Sequence, residues 1–133
     1  MILIDTTVIV DMLRGIKNEK TDLLKMMVEL KIPHGISILT YQEVLQGAKG
    51  EQEYLYLQTY LESQRIYYLP ETTEFYDTAS RYRMLLRERG ITPPNTVDIL
   101  IATTSIWYGL KLLHNDKDFT LFAKEIKELE IYK

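Results

Sequence analysis

The chain begins Met1-Ile-Leu-Ile-Asp5, and the apolar run Ile2-Leu-Ile4 has no polar alternation. A strand with one wet face alternates apolar and polar side chains, so an unbroken apolar run of high strand propensity belongs to a strand covered on both faces. Strands of that kind are parallel, and parallel strands need crossover helices to connect them. The first residues therefore already predict an α/β protein. They also place Asp5 at the C-terminal end of a buried strand, the edge where open α/β sheets bind their ligands.

The remaining pattern agrees with that prediction. Helical periodicity covers residues 6–15, with Val8, Ile9, Met12 and Leu13 on one face and Gly15 as its stop. A second helix is expected at 22–30 and a strand at 35–39 after Pro33; helices follow at 40–48 and 51–63. A third strand falls at 66–69, and the longest helical pattern runs over 72–89 and is closed by Gly90. A loop containing Pro93 and Pro94 leads to a helix at 96–108, a fourth strand at 110–115, a short helix at 121–129 and a last strand near Ile131. Strands alternate with helices throughout, which predicts a three-layer α/β/α sandwich around a mostly parallel sheet. At 133 residues, one domain spanning 1–133 is expected, large enough to bury a core without disulfides.

Composition removes several function classes. The chain has no cysteine, so a thiolate nucleophile, a disulfide framework and a cysteine metal site are excluded. No stretch approaches about 18 consecutive apolar residues, so no membrane partner is expected and the reading is a soluble, cytoplasmic protein. The formal net charge of −3 argues against holding nucleic acid by bulk electrostatics. If several acids are gathered around one cation, however, the rest of the surface is mildly basic.

The acids fall at telling positions. Asp5 follows the first strand, Glu43 is expected in the first turn of the helix after the second strand, Asp98 lies in the first turn after the Pro-Pro loop, and Asp116 follows the fourth strand. With the first strand central, these ends meet at one edge. Each acid also has a structural explanation: Asp5 as a helix cap, Thr40-Tyr-Gln-Glu43 as a capping box, Asp98 as a partner of the helix dipole, and Asp116 in a solvated turn. Taken together that explanation weakens, because two carboxylates ~4 Å apart repel by about 4 kcal/mol at an effective dielectric of 20. A divalent cation removes the repulsion, and an all-oxygen donor set selects Mg²⁺ or Mn²⁺, one ion or two. Such centres most often serve phosphoryl transfer or phosphodiester hydrolysis. Thr6 and Thr7 are placed to hydrogen-bond a carboxylate or a metal-bound water.

The blocks Asp5-Thr-Thr-Val-Ile-Val-Asp11, Ser37-Ile-Leu-Thr-Tyr-Gln-Glu43, Gly47-Ala48, Asp98-Ile-Leu-Ile-Ala102 and Leu112-Leu-His-Asn-Asp-Lys-Asp-Phe119 resemble the PIN domain, and length and spacing are similar to its VapC-type toxins. The resemblance implies a sheet of order 3-2-1-4-5 and a Mg²⁺-dependent endoribonuclease. It further implies a toxin held by a cognate antitoxin and usually dimeric. It gives Asp5 and Asp98 as main metal ligands, Glu43 as the third acid, and Asp116 as the fourth. The family often has Thr two residues before the fourth acid and a longer gap before Asp-Phe. Here His114-Asn115 precede Asp116, and Asp118 follows closely. Asp116 is favoured as nearer the strand end, Asp118 is its alternative, and Asn115 is a supporting candidate.

Other features carry less. His114 as a general base is weaker than His114 as a structural residue, and His34 reads as a loop residue. Arg83 and Arg87 stand at helical spacing near the Asp98 loop and are candidates for RNA phosphates, against a solvated-face reading. Among ten tyrosines, Tyr54, Tyr56 and Tyr60 share a helix and suit core packing or a protein partner better than base stacking. A response-regulator receiver domain is disfavoured, because that fold wants an acidic pair after strand one and a phospho-acceptor Asp after strand three. A stand-alone PIN nuclease and a catalytically silent PIN-type binding module are the remaining alternatives.

Overall fold

In the computed structural model, residues 1–92 and 95–133 are described; Pro93 and Pro94, read above as loop, lie outside them. The described elements are β1 (Ile2–Ile4), α1 (Thr6–Leu13), α2 (Glu19–Glu29), β2 (His34–Ser37), α3 (Ile38–Leu45), α4 (Glu51–Glu62), β3 (Arg65–Tyr67), α5 (Thr73–Glu88), α6 (Thr96–Trp107), β4 (Lys111–Leu113) and α7 (Lys117–Glu125). All strand pairings are parallel, in the order β3-β2-β1-β4. All three residues of β1 are buried, as the unbroken apolar run requires.

Alternation along β1 divides the core. Leu3 points into a cluster with Ala79 and Leu86 of α5, Ile99, Ile101 and Ala102 of α6, and Phe119 and Phe122 of α7. Ile2 and Ile4 point the other way, onto Val8, Ile9, Leu24, Met27, Val44, Leu45 and Leu61 from α1 to α4. The sandwich thus has α1–α4 on one face and α5–α7 on the other. Burial of side chains such as these stabilises by about 1.5–3 kcal/mol each, which makes both layers indispensable.

Register fixes the working edge. Ile4 lies beside Ile36 and Leu113, so Asp5 and His114, just past β1 and β4, fall in one line with Ser37, the last residue of β2. The Asp5 amide seals that line by donating to the Leu113 carbonyl at 2.9 Å.

Several sequence expectations shift. The fifth strand is a single parallel bridge, Ile131 beside Leu112, so the described sheet has four strands and the order 3-2-1-4. It lies on the side of β4 away from β1, where an order of 3-2-1-4-5 would put it. Ile38 and Leu39 are helical rather than strand, because the Ser37 hydroxyl accepts the Leu39 amide at 3.0 Å and caps α3 there. The last helix begins at Lys117, four positions early, because Asp116 caps it. His34 opens β2 instead of lying in a loop, with its Nδ1 2.8 Å from the Ile32 carbonyl. No helix among the described residues is long and apolar enough to cross a membrane.

Candidate metal centre

Asp5 ends the central strand and is only 2% exposed. Its extended backbone makes it the N-cap of α1, and its Oδ2 accepts the Thr7 amide at 3.1 Å and the Thr7 hydroxyl at 2.6 Å. The cap reading of Asp5 is therefore correct as far as it goes. Both bonds fall on one oxygen, and the carboxylate keeps the other. Burial pushes the Asp5 carboxyl above its usual range; the hydroxyl and amide of Thr7 and the amide of Thr6 pull it back, and Glu43 raises it further.

Glu43 does not close a capping box. Since α3 starts at Ile38, Glu43 lies in its second turn, and Ser37 is the cap. The Thr6 hydroxyl donates to Glu43 Oε1 at 2.7 Å, and the Thr40 hydroxyl stands 3.0 Å from that of Thr6. Thr40 is fully buried and its part in holding Glu43 was missed in the sequence, where it read as a helix cap. The separation of three residues between Thr40 and Glu43 was the available signal, since it puts both on one face of a helix.

Asp98 comes from the first turn of α6, whose N-cap Asn95 accepts the Val97 amide at 2.8 Å. It is half-buried, and its carboxyl is pushed up to about 7 by burial first, then by Asp5, Asp116, Glu43 and Asp118 in turn. The charges of all the other candidate acids are thus felt at Asp98. The closest group is on the β4–α7 side: Asp98, Asp116 and Asp118 each offer a carboxylate oxygen within 4.8 Å of the others. Asp116 Oδ1 accepts the Asp118 amide at 2.9 Å, a cap that turns Asp118 back toward the same point. The choice between Asp116 and Asp118 as fourth acid is not forced, because the structure brings both to Asp98.

This donor set fits a hard divalent cation. It is all oxygen, its members repel one another, and a proton held to about neutral pH on Asp98 shows the charge that a cation would replace. The N-termini of α1, α6 and α7 also point their positive dipole ends at this edge, which offsets part of the repulsion.

His114 takes the structural role. Its Nδ1 accepts the Asp116 amide at 3.1 Å, and its ring packs against Phe119 at 5.3 Å. Burial first, and then Lys20, lower its pKa, so the imidazole is held neutral. Thr7 and Asn115 meet: the Asn115 amide donates to the Thr7 hydroxyl at 3.1 Å. The arginines separate into two pairs. Arg81 bonds Asp77 at 3.1 Å and Arg89 approaches Glu125 at 3.7 Å, whereas Arg83 and Arg87 form no ion pair among the described residues. Of the tyrosines, Tyr54 and Tyr56 are exposed on α4, and Tyr60 turns inward to reach Met12 Sδ at 3.9 Å.

Among protein families, the chain matches the PIN domain over residues 2–125. The chain belongs to the PIN family. No curated protein sequence matches it. Solved structures with the same fold include VapBC2 from Rickettsia felis bound to a DNA fragment from its promoter, at a TM-score of 0.77 and 22% identity, covering 99% of this chain and 98% of that one. VapBC-1 from nontypeable Haemophilus influenzae is similar at 0.71 and 23% identity, covering 100% and 98%. VapBC-5 from Mycobacterium tuberculosis, a member of the VapBC family of toxin–antitoxin systems, is similar at 0.67 and 19%, covering 98% and 96%. At these identities the likeness is one of fold.

Proposed function

We propose that this PIN chain is a Mg²⁺- or Mn²⁺-dependent endoribonuclease and the toxin of a toxin–antitoxin pair. The observation that carries the reading is the gathering of acids around Asp98 at the C-terminal edge of a parallel sheet. Asp5 and Asp98 would hold the ion, Glu43 and Asp116 would complete the set directly or through water, and Asp118 would support it from the start of α7. A bound divalent ion would supply neutralisation of charge on the attacked phosphate and a more acidic water. Thr6 orients Glu43, Thr7 orients Asp5, and Arg83 and Arg87, which form no ion pair among the described residues, are candidates to meet RNA phosphates.

Two further observations support the partner part of the reading. The similar folds named above are VapBC structures, and those names record toxin–antitoxin systems. The helical face of α1–α4 leaves Val28, Leu30, Leu55 and Tyr56 more than half exposed, which suits an antitoxin or a second subunit. The central test is RNA cleavage by purified protein with Mg²⁺ or Mn²⁺, lost on chelation and reduced at least about 100-fold by Asp5→Asn, which retains the cap acceptor. Cleavage by Asp5→Asn at the wild-type rate would refute the site. RNA binding without turnover under any divalent ion would instead establish a silent binding module.

A further inference from the structure

Thr7 and Asp11 are four residues apart on α1 and so lie on one face, one turn from each other. Both reach the same residue of the β4–α7 loop. The Thr7 hydroxyl accepts the Asn115 backbone amide at 3.1 Å, and Asp11 Oδ2 accepts the Asn115 side-chain amide at 3.4 Å. The same Asp11 oxygen also accepts the side-chain amide of Asn18 at 3.2 Å. Asn18 is in turn the N-cap of α2, its Oδ1 taking the Lys20 and Thr21 amides, both at 2.9 Å. One carboxylate oxygen therefore ties together α1, the start of α2 and the loop that precedes Asp116.

That loop needs holding. Asp116 and Asp118 are brought within 4.8 Å of Asp98 although like charges drive them apart. Their own bonds are local: Asp116 with His114 and Asp118 with Asp116, each two residues away. Such bonds shape the turn without fixing it to the rest of the site. Asn115 supplies that attachment, clamped at its main chain by Thr7 and at its side chain by Asp11. Through Thr7 the same clamp touches Asp5, whose Oδ2 takes the Thr7 hydroxyl at 2.6 Å.

We infer that Asp11 is a positioning residue of the proposed metal centre: it binds no ion but clamps Asn115, and with it Asp116 and Asp118, against α1. The inference rests on the function proposed above for its consequence, and on the metal-free protein for its geometry. The role belongs to an acceptor rather than to a charge. Asparagine at position 11 offers one amide oxygen that can take both N–H groups as Oδ2 does, whereas leucine offers none.

The experiment compares wild type, Asp11→Asn, Asp11→Leu and Asn115→Ala. Backbone amide exchange at Asn115 and Asp116 is read by NMR in the metal-free proteins, and binding of Mn²⁺ by calorimetry. Loss of one hydrogen bond sets the scale at about tenfold. Exchange at both amides should quicken about tenfold in Asp11→Leu and in Asn115→Ala, and Mn²⁺ should bind about tenfold more weakly; Asp11→Asn should stay within about threefold of wild type on both. Asn115→Ala leaves the Asp11–Asn18 tie in place, so it reads the clamp even if Asp11→Leu loosens the α1–α2 connection or fails to fold. Unchanged exchange in Asn115→Ala overturns the clamp. Quickened exchange with unaltered Mn²⁺ affinity overturns the positioning role, and Asp11→Asn as impaired as Asp11→Leu assigns the effect to charge and overturns it too. A wild type that binds no Mn²⁺ and cleaves no RNA refutes the proposed function, and with it the positioning role, while exchange at Asn115 still decides the clamp.

Discussion

Replacing Asp98 by asparagine removes the cost of holding its carboxylate half-buried among the other acids. In the metal-free protein the Asp98 carboxyl is pushed up to about 7 from an ordinary 3.8, chiefly by burial and then by Asp5, Asp116, Glu43 and Asp118. In the unfolded chain it ionises near the ordinary value. Between the two values the folded protein keeps a proton that the unfolded chain has released, so rising pH costs stability. The penalty is absent below the unfolded value, grows across the interval and is complete above about pH 7. An interval of roughly three pH units corresponds to a ceiling of about 4 kcal/mol, and solvent screening of a half-buried carboxyl cuts this to about 2 kcal/mol. Asparagine carries no such penalty. The assay is urea unfolding of metal-free wild type and Asp98→Asn from about pH 5 to pH 8, where the stability difference in favour of the variant should widen by about 1–2 kcal/mol. His114 contributes with the opposite sign, because its lowered pKa makes stability rise with pH, but it is present in both proteins and cancels in the difference. Mg²⁺ should restore wild type at high pH and leave the variant unmoved. Parallel pH curves for the two proteins would refute the raised Asp98 carboxyl as the source of the strain.

Two substitutions probe the supports. Thr6→Val removes the hydroxyl that donates to Glu43 at 2.7 Å and strands the buried Thr40 hydroxyl; a loss of about 1–2 kcal/mol in urea unfolding is expected, with weaker Mn²⁺ binding by calorimetry. Unchanged stability and affinity would show that Glu43 is held by something else. Gly35→Ala places a Cβ 2.6 Å from the Arg65 carbonyl oxygen and 2.8 Å from the Tyr67 ring, which forces β3 away from β2. It should lower stability by about 1–3 kcal/mol or prevent folding, seen as a shifted urea midpoint or lost expression, and a midpoint at the wild-type value would contradict the close approach.

Legibility in the sequence followed the strength of the local signal. The apolar run of β1 left no other state for those residues, and the 16 residues of α5 carried enough turns to be read within one residue at either end. The onset of α3 was misread because Ile38 and Leu39 favour a strand by type, while a single serine before them decided otherwise by capping. That one hydroxyl also moved Glu43 out of the first turn and removed its explanation as a capping residue. The fifth strand shrank because pairing beyond β4 is confined to the two bonds that Leu112 exchanges with Glu130 and Tyr132. In the candidate site, the acids were visible by their places after strands. That Asp116 and Asp118 both reach Asp98 was not, since it depends on the cap by which Asp116 Oδ1 accepts the Asp118 amide. Thr40 and Asp11 were silent for a further reason: each acts through a partner more than thirty positions away, and helical spacing names the face but never the partner.

The burial of α6 has a last consequence. From Ile99 to Ser105 nearly every side chain is sealed, and the hydroxyls of Thr103 and Thr104 turn back to carbonyls of their own helix, both at 2.7 Å. Asp98 is thus the wet tip of a rod locked in the core, and Asp5 is pinned to the central strand. Under the function proposed above, neither would follow an ion of different radius. Accommodation would fall to the wall built from Asp116 and Asp118, whose ties are hydrogen bonds on a turn. Such a centre would be a vice with one fixed jaw and one sprung jaw, and its discrimination between Mg²⁺, Mn²⁺ and the larger Ca²⁺ would be set by the stiffness of the spring.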